Sequence, residues 1–306
     1  MIKRPTPARI LIPAGIIFAF SACAGAPEAR QLAVEYYNVG NAYFEMGQHQ
    51  KALEMYRRAL SYSPGFLEVS YAAARAHIAL GDFEEGIRVL KRLGEGDGGN
   101  VLVLTTLAYA YAKKGDLAGA ADAYTRALEL SPGNLNAWHN LALVRIAGGD
   151  FARAEECLRR AHALEPANAQ VLGDLARVLA DQGKQGEAIV LYEMMRAGGQ
   201  ANPGASRKLA GLYFEEKYYA KALVLLDELL KGADVQAGDY FLKARIQLTA
   251  SRELEAGLAS LDQALEKKYS DVKGLADLVA GLPADYKETV QKALEKRKPQ
   301  AAPAGR

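Results

Sequence analysis

The sequence predicts an all-α fold, a right-handed α-solenoid of helix-turn-helix repeats finished by capping helices. Three observations predict it. Like residues recur every 34 positions, without an insertion, from residue 33 to residue 236. Within a period, apolar residues fall into two stripes at helical spacing, parted by a glycine. Alanine and leucine, both strong helix formers, dominate the long stretches.

The recurrence reads as ladders. Gly47, Gly81, Gly115, Gly149 and Gly183 form one, with Lys217 on the next rung. Ala52, Gly86, Ala120, Ala154, Ala188 and Ala222 form another. Tyr56, Leu90, Tyr124, Leu158, Tyr192 and Leu226 give a large-residue ladder, followed three positions on by Ala59, Leu93, Ala127, Ala161, Met195 and Leu229. The first half of each unit holds Gly40, Ala74, Ala108, Ala142, Ala176 or Ala210. Residues 135–168 show how one unit reads. Trp138, Leu141 and 143–146 make the first stripe; Ala154, Cys157, Leu158 and Ala161 make the second, at i, i+3, i+4, i+7. Gly149 stands where the chain must reverse, and Pro166 ends the second helix. Small residues on facing ladders let helices approach closely, and the Tyr or Leu rung fills the space between successive units.

The stretch AWHNLA at 137–142, with Ala154, Ala161 and Pro166, resembles the signature of the tetratricopeptide repeat. Tyr36 to Pro64 and Leu104 to Pro132 match nearly as well, while units two, five and six keep the period without the proline. This implies six units over 33–236 and a degenerate seventh, with a one-residue slip, over 237–270. Two amphipathic segments over 271–297 lack the signature and are expected to cap the exposed end. Tyr286, Val290, Ala293 and Leu294 give the second a single apolar face. The tail, 298–306, is expected to be disordered.

Ahead of the repeats stands an address. Lys3, Arg4 and Arg9 precede an apolar run, 10–20, interrupted by Pro13 and Gly15. Crossing a bilayer takes roughly 20 apolar residues, so residues 1–22 read as a signal peptide. The following FSAC resembles the lipobox of bacterial lipoproteins, with Phe20 where Leu is usual. That resemblance implies cleavage before Cys23, acylation of its thiol, and an acylated linker over 23–32. Ala22-Cys23-Ala24 also fits ordinary secretory cleavage after Ala24. Both readings place the body outside the cytoplasm. Ala24 after the cysteine implies, by the same resemblance, sorting to the outer membrane, facing the periplasm.

Composition excludes several function classes. Thirty-eight basic residues against 36 acidic leave a net charge of +2, so no global field argues for nucleic acid. The four histidines and two cysteines make no metal-ligand spacing, and the sequence contains no G-x-S-x-G, Walker A or H-E-x-x-H. GEGDGG at 94–99 has the G-x-G-x-x-G spacing of a dinucleotide turn. Its Gly98, however, shares a rung with Pro64, Pro132 and Pro166, a helix precedes it, and Glu95 and Asp97 would repel phosphate. It reads as an inter-repeat turn. His162 and Glu165 are three apart on a helix, but His162 and His77 both read as packing residues, and Cys157 as a small buried group. No enzyme, cofactor or metal is expected.

The family resemblance implies a concave channel, lined by the first helix of each unit, that takes extended peptides or helices. One rung facing it is Tyr37, Tyr71, Thr105, His139, Gly173, Arg207; the next is Asn41, Arg75, Tyr109, Leu143, Arg177, Gly211. Neither rung holds an acid. Tyr and Arg carry binding energy when desolvated, and Arg pairs carboxylates bidentately. The groove set is therefore Tyr37, Asn41, Tyr71, Arg75, Tyr109, His139, Arg177 and Arg207. The same residues also suit a solvated face with snorkelling side chains. The family's carboxylate clamp is not reproduced: Asn41 is present, but Tyr37, Ala72, Leu102 and Thr106 replace its other members. The expected function is a lipid-anchored envelope scaffold holding a protein or peptide partner. The alternative is a structural self-assembler that oligomerises through its repeat ends.

Overall fold

The computed structural model describes residues 21–95 and 100–296. The signal peptide up to residue 20, the Cys23 side chain, most of the GEGDGG turn and the tail over 298–306 lie outside the described residues. The chain forms two compact units, Met1–Gly148 and Gly149–Arg306. No strand occurs among the described residues, and no described helix is long and apolar enough to cross a membrane.

The first unit contains α1 (Ser21–Glu45), α2 (His49–Tyr62), α3 (Leu67–Ala79), α4 (Phe83–Glu95), α5 (Val101–Lys114), α6 (Leu117–Leu130) and α7 (Leu135–Ala147). Sequential helices pack as antiparallel neighbours, as their short connections require. The second contains α8 (Phe151–Leu164), α9 (Ala169–Asp181), α10 (Gln185–Ala197), α11 (Pro203–Glu215), α12 (Tyr219–Leu229) and α13 (Ala237–Ile246). A π-helical turn, Gln247–Ser251, leads on to α14 (Leu254–Glu266), α15 (Val272–Gly281) and α16 (Ala284–Lys296). One difference from the sequence reading stands at the start. Residues 23–32 are helical and continuous with the first repeat helix, in line with their alanine content, where a linker was expected.

The ladders have physical causes. Every Tyr or Leu rung from Tyr56 to Leu226 is buried, and the small rungs Ala74, Ala108, Ala142, Ala176 and Ala210 are fully so. At Gly40 a Cβ would stand 2.5 Å from the Tyr56 ring, which is why the first unit has glycine where later units have alanine. Gly47, Gly81, Gly115, Gly149 and Gly183 adopt φ of 72, 81, 89, 75 and 78°, the left-handed conformation that ends a helix without a Cβ penalty. Lys217 takes the same conformation at φ 62°. On the next rung the left-handed residue is Arg252, one place late. The π-helical turn just before it absorbs the extra residue, because a π turn is a one-residue insertion into an α-helix.

A further ladder escaped the sequence reading. Asn100, Asn134, Asn168 and Asn202 step by 34 and cap α5, α7, α9 and α11, each side chain accepting a backbone N–H of the first turn at 2.8 to 3.2 Å. Each cap is worth about 1 kcal/mol. Lys217→Gly is expected to stabilise the second unit by about 1 kcal/mol, by removing a left-handed side-chain penalty. A urea midpoint that stays put or falls would show that the lysine side chain offsets the strain.

At the C-terminal end, α15 and α16 cover the last repeat. Leu278 and Val290 are buried against Phe241, Leu248 and Leu261, with Tyr286 and Leu294 packed around them. The Tyr286 hydroxyl donates to the Arg252 carbonyl at 2.7 Å.

Candidate partner-binding site

Within the first unit, α3, α5 and α7 enclose an open cavity of ≈ 770 Å³. Ile78, Leu102 and Tyr124 supply apolar wall, and polar groups converge on it from Arg75, Lys113, Asn136 and Asn140. The Arg75 guanidinium lies over the Phe44 ring at 4.7 Å, and the Lys113 ammonium lies over Tyr109 at 5.5 Å. No carboxylate lines the cavity. Among the described residues neither cation is ion-paired. An aromatic face holds an exposed cation by only about 0.5–1 kcal/mol. Both charges are therefore positioned and still free to take a stronger, charge-assisted partner. The amides of Asn136 and Asn140 offer both donors and acceptors, as a peptide backbone needs. At the back, burial pushes the Tyr124 phenol up to about 12, with a hydrogen bond to Asn140 pulling the other way.

The predicted residues divide by what they touch. Arg75 and Tyr109 line the cavity. Tyr71 braces its wall, its hydroxyl 2.8 Å from the Thr106 hydroxyl, which in turn donates to the Leu102 carbonyl at 2.8 Å. Tyr37 packs on Tyr56 and Phe66, with ring centroids 6.1 and 5.7 Å away. Asn41 accepts the Tyr56 hydroxyl at 2.8 Å. His139 is half-buried on α7 and does not line the cavity. In its place the same helix contributes Asn136 and Asn140.

In the second unit the predicted arginines are already paired. Arg177 donates to Asp174 at 2.9 Å, an acid one turn back that lies on neither rung. Arg207 is held more tightly. Its Nε donates to both oxygens of Asp239 at 2.8 and 3.1 Å, its Nη1 to the Asp234 carboxylate at 3.0 Å, and its Nη2 to the Asp234 carbonyl. Hydrogen bonds to Asp239 raise the Arg207 pKa still further. The Arg207 side chain is 17% exposed and that of Asp239 3%. Both arginines belong to internal ion pairs. A similar pairing surrounds Glu155. Burial alone would raise its pKa, but hydrogen bonds from Lys184, Arg159 and Gln182 hold the carboxyl below its ordinary value.

The sequence reading missed Phe44, Lys113, Asn136 and Asn140. A signal for the first was present: Phe44 precedes Arg75 as Phe214 precedes Arg245 five periods later, and the second pair is also stacked at 4.7 Å. His77, read as packing, is hydrogen-bonded through Nδ1 to Asp82 at 2.8 Å. His162 is half-buried with its Nδ1 unpartnered, and Cys157 is buried. No group of residues that could hold a metal ion occurs among the described residues.

Comparison with known proteins agrees with this architecture. Family models described as tetratricopeptide repeat match residues 43–108, 111–163 and 139–205. No curated protein matches the sequence. Among solved structures, a tetratricopeptide repeat protein from Parabacteroides merdae is 16% identical with a TM-score of 0.56, covering 88% of this chain and 100% of its own. PilF from Pseudomonas aeruginosa is 21% identical with a TM-score of 0.53, covering 68% and 95%. MamA from Desulfovibrio magneticus is 15% identical with a TM-score of 0.51, covering 54% and 93%. At these identities the likeness is one of fold. With the 34-residue ladders, the left-handed glycines at each reversal and the family models over more than half its length, the chain belongs to the tetratricopeptide-repeat family of α-solenoids, a fold of protein-interaction scaffolds.

Proposed function

We propose that the protein is a membrane-tethered scaffold of the bacterial cell envelope that holds a protein or peptide partner in the cavity of its first unit. The observation that supports this most is the state of the cations. Arg75 and Lys113 are positioned on aromatic faces in a cavity without an acid, whereas Arg177 and Arg207 of the second unit are neutralised internally. Acylation of Cys23 places the scaffold on the outer membrane facing the periplasm. Confinement there raises the partner's effective concentration without any catalysis. The reading needs no cofactor, nucleotide, nucleic acid or metal, and assigns no reaction to the chain.

One experiment tests both halves of it: crosslinking in cells, then capture of the full-length chain from membrane and soluble fractions. The wild type is expected in the membrane fraction with a partner attached. Arg75→Glu with Lys113→Glu is expected to reduce recovery of that partner about tenfold or more, at unchanged chain level. Cys23→Ala is expected to leave the membrane fraction and keep the partner. Undiminished recovery with the reversed charges removes the cavity assignment. Membrane retention without Cys23 removes the lipid anchor.

A further inference from the structure

The polar groups that the cavity leaves uncommitted define what it can take. Thr105 and Thr106 donate their hydroxyls to the Leu102 carbonyl, and the Asn134 side chain caps α7. Asn140 is bonded to the Tyr124 phenol. Arg75, Lys113 and the Asn136 amide make no hydrogen bond or salt bridge among the described residues. What remains is two cations, one free amide and an apolar wall on which Leu102 and Tyr109 are 57 and 46% exposed.

The two cations do not share one point. Arg75 rests on Phe44 and Lys113 on Tyr109, and they stand on different helices, α3 and α5. Tyr109 occupies the rung of Arg75 in the next unit, and Lys113 lies one turn further along α5. Since α3 and α5 are in contact, their axes run about 8–10 Å apart, and the turn adds an offset of about 6 Å along the helix. A single carboxylate, as at a chain end, satisfies only one of these cations. Two acids two residues apart in an extended segment lie about 7 Å from each other on one face, and the long arms of Glu, Arg and Lys span the difference. The Asn136 amide can pair with the backbone of such a segment, both donor and acceptor. Leu102 and Tyr109 cover its apolar side chains.

We propose that the cavity takes an extended acidic peptide segment, held through two side-chain carboxylates, one on Arg75 and the other on Lys113. The proposal rests on the cavity assignment above and adds the chemistry of the partner: a stretch within a chain, acids alternating with apolar residues. Arg75 can pair both oxygens of its carboxylate, whereas Lys113 supplies a point charge.

Fluorescein-labelled heptapeptides with amidated C-termini, bound to the full-length chain in detergent and followed by polarisation, test it. One has the core Leu-Glu-Leu-Glu-Leu; in two others Gln or Lys replaces both acids; a fourth is the Gln peptide with a free terminal carboxylate. The Glu peptide is expected to bind about tenfold or more tightly than either Gln peptide, and to weaken as salt is raised. Arg75→Gln and Lys113→Gln should each lower its affinity severalfold. Arg75→Glu with Lys113→Glu should invert the preference, so that the Lys peptide binds more tightly than the Glu peptide, an outcome that lost folding cannot produce. Equal binding of Glu and Gln peptides, no binding of any peptide, or a preference untouched by the double reversal overturns the proposal. So does a free terminal carboxylate that restores the affinity of the Gln peptide. If the peptide preference fails while the double reversal still releases the crosslinked partner, the acidic segment falls and the cavity assignment stands. If the reversal releases nothing, both fall.

Discussion

The folded protein is expected to come apart between pH 10 and 12, with the buried tyrosines of the large-residue ladder as the cause. Tyr56 and Tyr124 are 1 and 2% exposed, and burial pushes each phenol from 10 up to about 12. Tyr37 beside Tyr56 raises it further. In the unfolded chain both ionise near their ordinary value. A pKa raised on folding means that the neutral form is favoured in the native state. The stability it contributes is therefore complete below pH 10 and is lost as pH climbs toward 12. Two pKa units correspond to about 2–3 kcal/mol for each residue, a large share of the ~5–15 kcal/mol that holds a folded domain together. Tyr213 and Tyr269 are also pushed up to about 12, first by burial and then by Glu193 and Asp271 respectively. Urea unfolding along a pH series, with tyrosinate absorbance followed in parallel, should show the stability falling as the tyrosinates appear. Tyr124→Phe and Tyr56→Phe should each flatten the alkaline decline. The second should also cost about 1 kcal/mol at neutral pH, because Asn41 loses the hydroxyl it accepts. An alkaline decline unchanged in both variants would place its origin elsewhere.

The fold was legible because packing imposes one period on the whole array. A rung that must be small, or large, or left-handed in one unit must be so in the next, and Gly183 makes Lys217 recognisable as its successor. In the seventh unit, where the sequence match weakens, the left-handed residue is Arg252, one place beyond the 34-residue step from Lys217. The asparagine caps share this period and went unseen only because apolar spacing was followed. The site was less legible, and the reason is physical. A side chain's rung says which way it points but not what it meets there. Asp174 neutralises Arg177 from one turn away on the same helix, while Asp234 and Asp239 reach Arg207 from the connection before α13 and its first turn. Neither arrangement repeats in the first unit, so no ladder announces it.

Arg207→Ala is therefore expected to damage stability and leave partner binding intact, the reverse of Arg75→Glu. Removing Arg207 strands the Asp239 carboxylate, which is almost wholly buried and still engaged in accepting the Gln236 N–H at 2.9 Å. Breaking a buried ion pair from one side costs about 3–5 kcal/mol, because the charge left behind has neither water nor a cation. Removing both charges while keeping the cap acceptor, as in Arg207→Met with Asp239→Asn, should recover part of that loss. Recovery in the double variant would mark the single-variant damage as an uncompensated charge rather than lost packing. Arg75 is exposed and rests only on Phe44, so its reversal should move the urea midpoint by about 1 kcal/mol or less. An unchanged midpoint with lost partner for Arg207→Ala would return that arginine to the binding surface. Two arginines on first helices of different repeats thus do opposite work. The one paired with a buried carboxylate, Asp239, holds the array together, and the one without such a partner remains available to whatever the cavity receives.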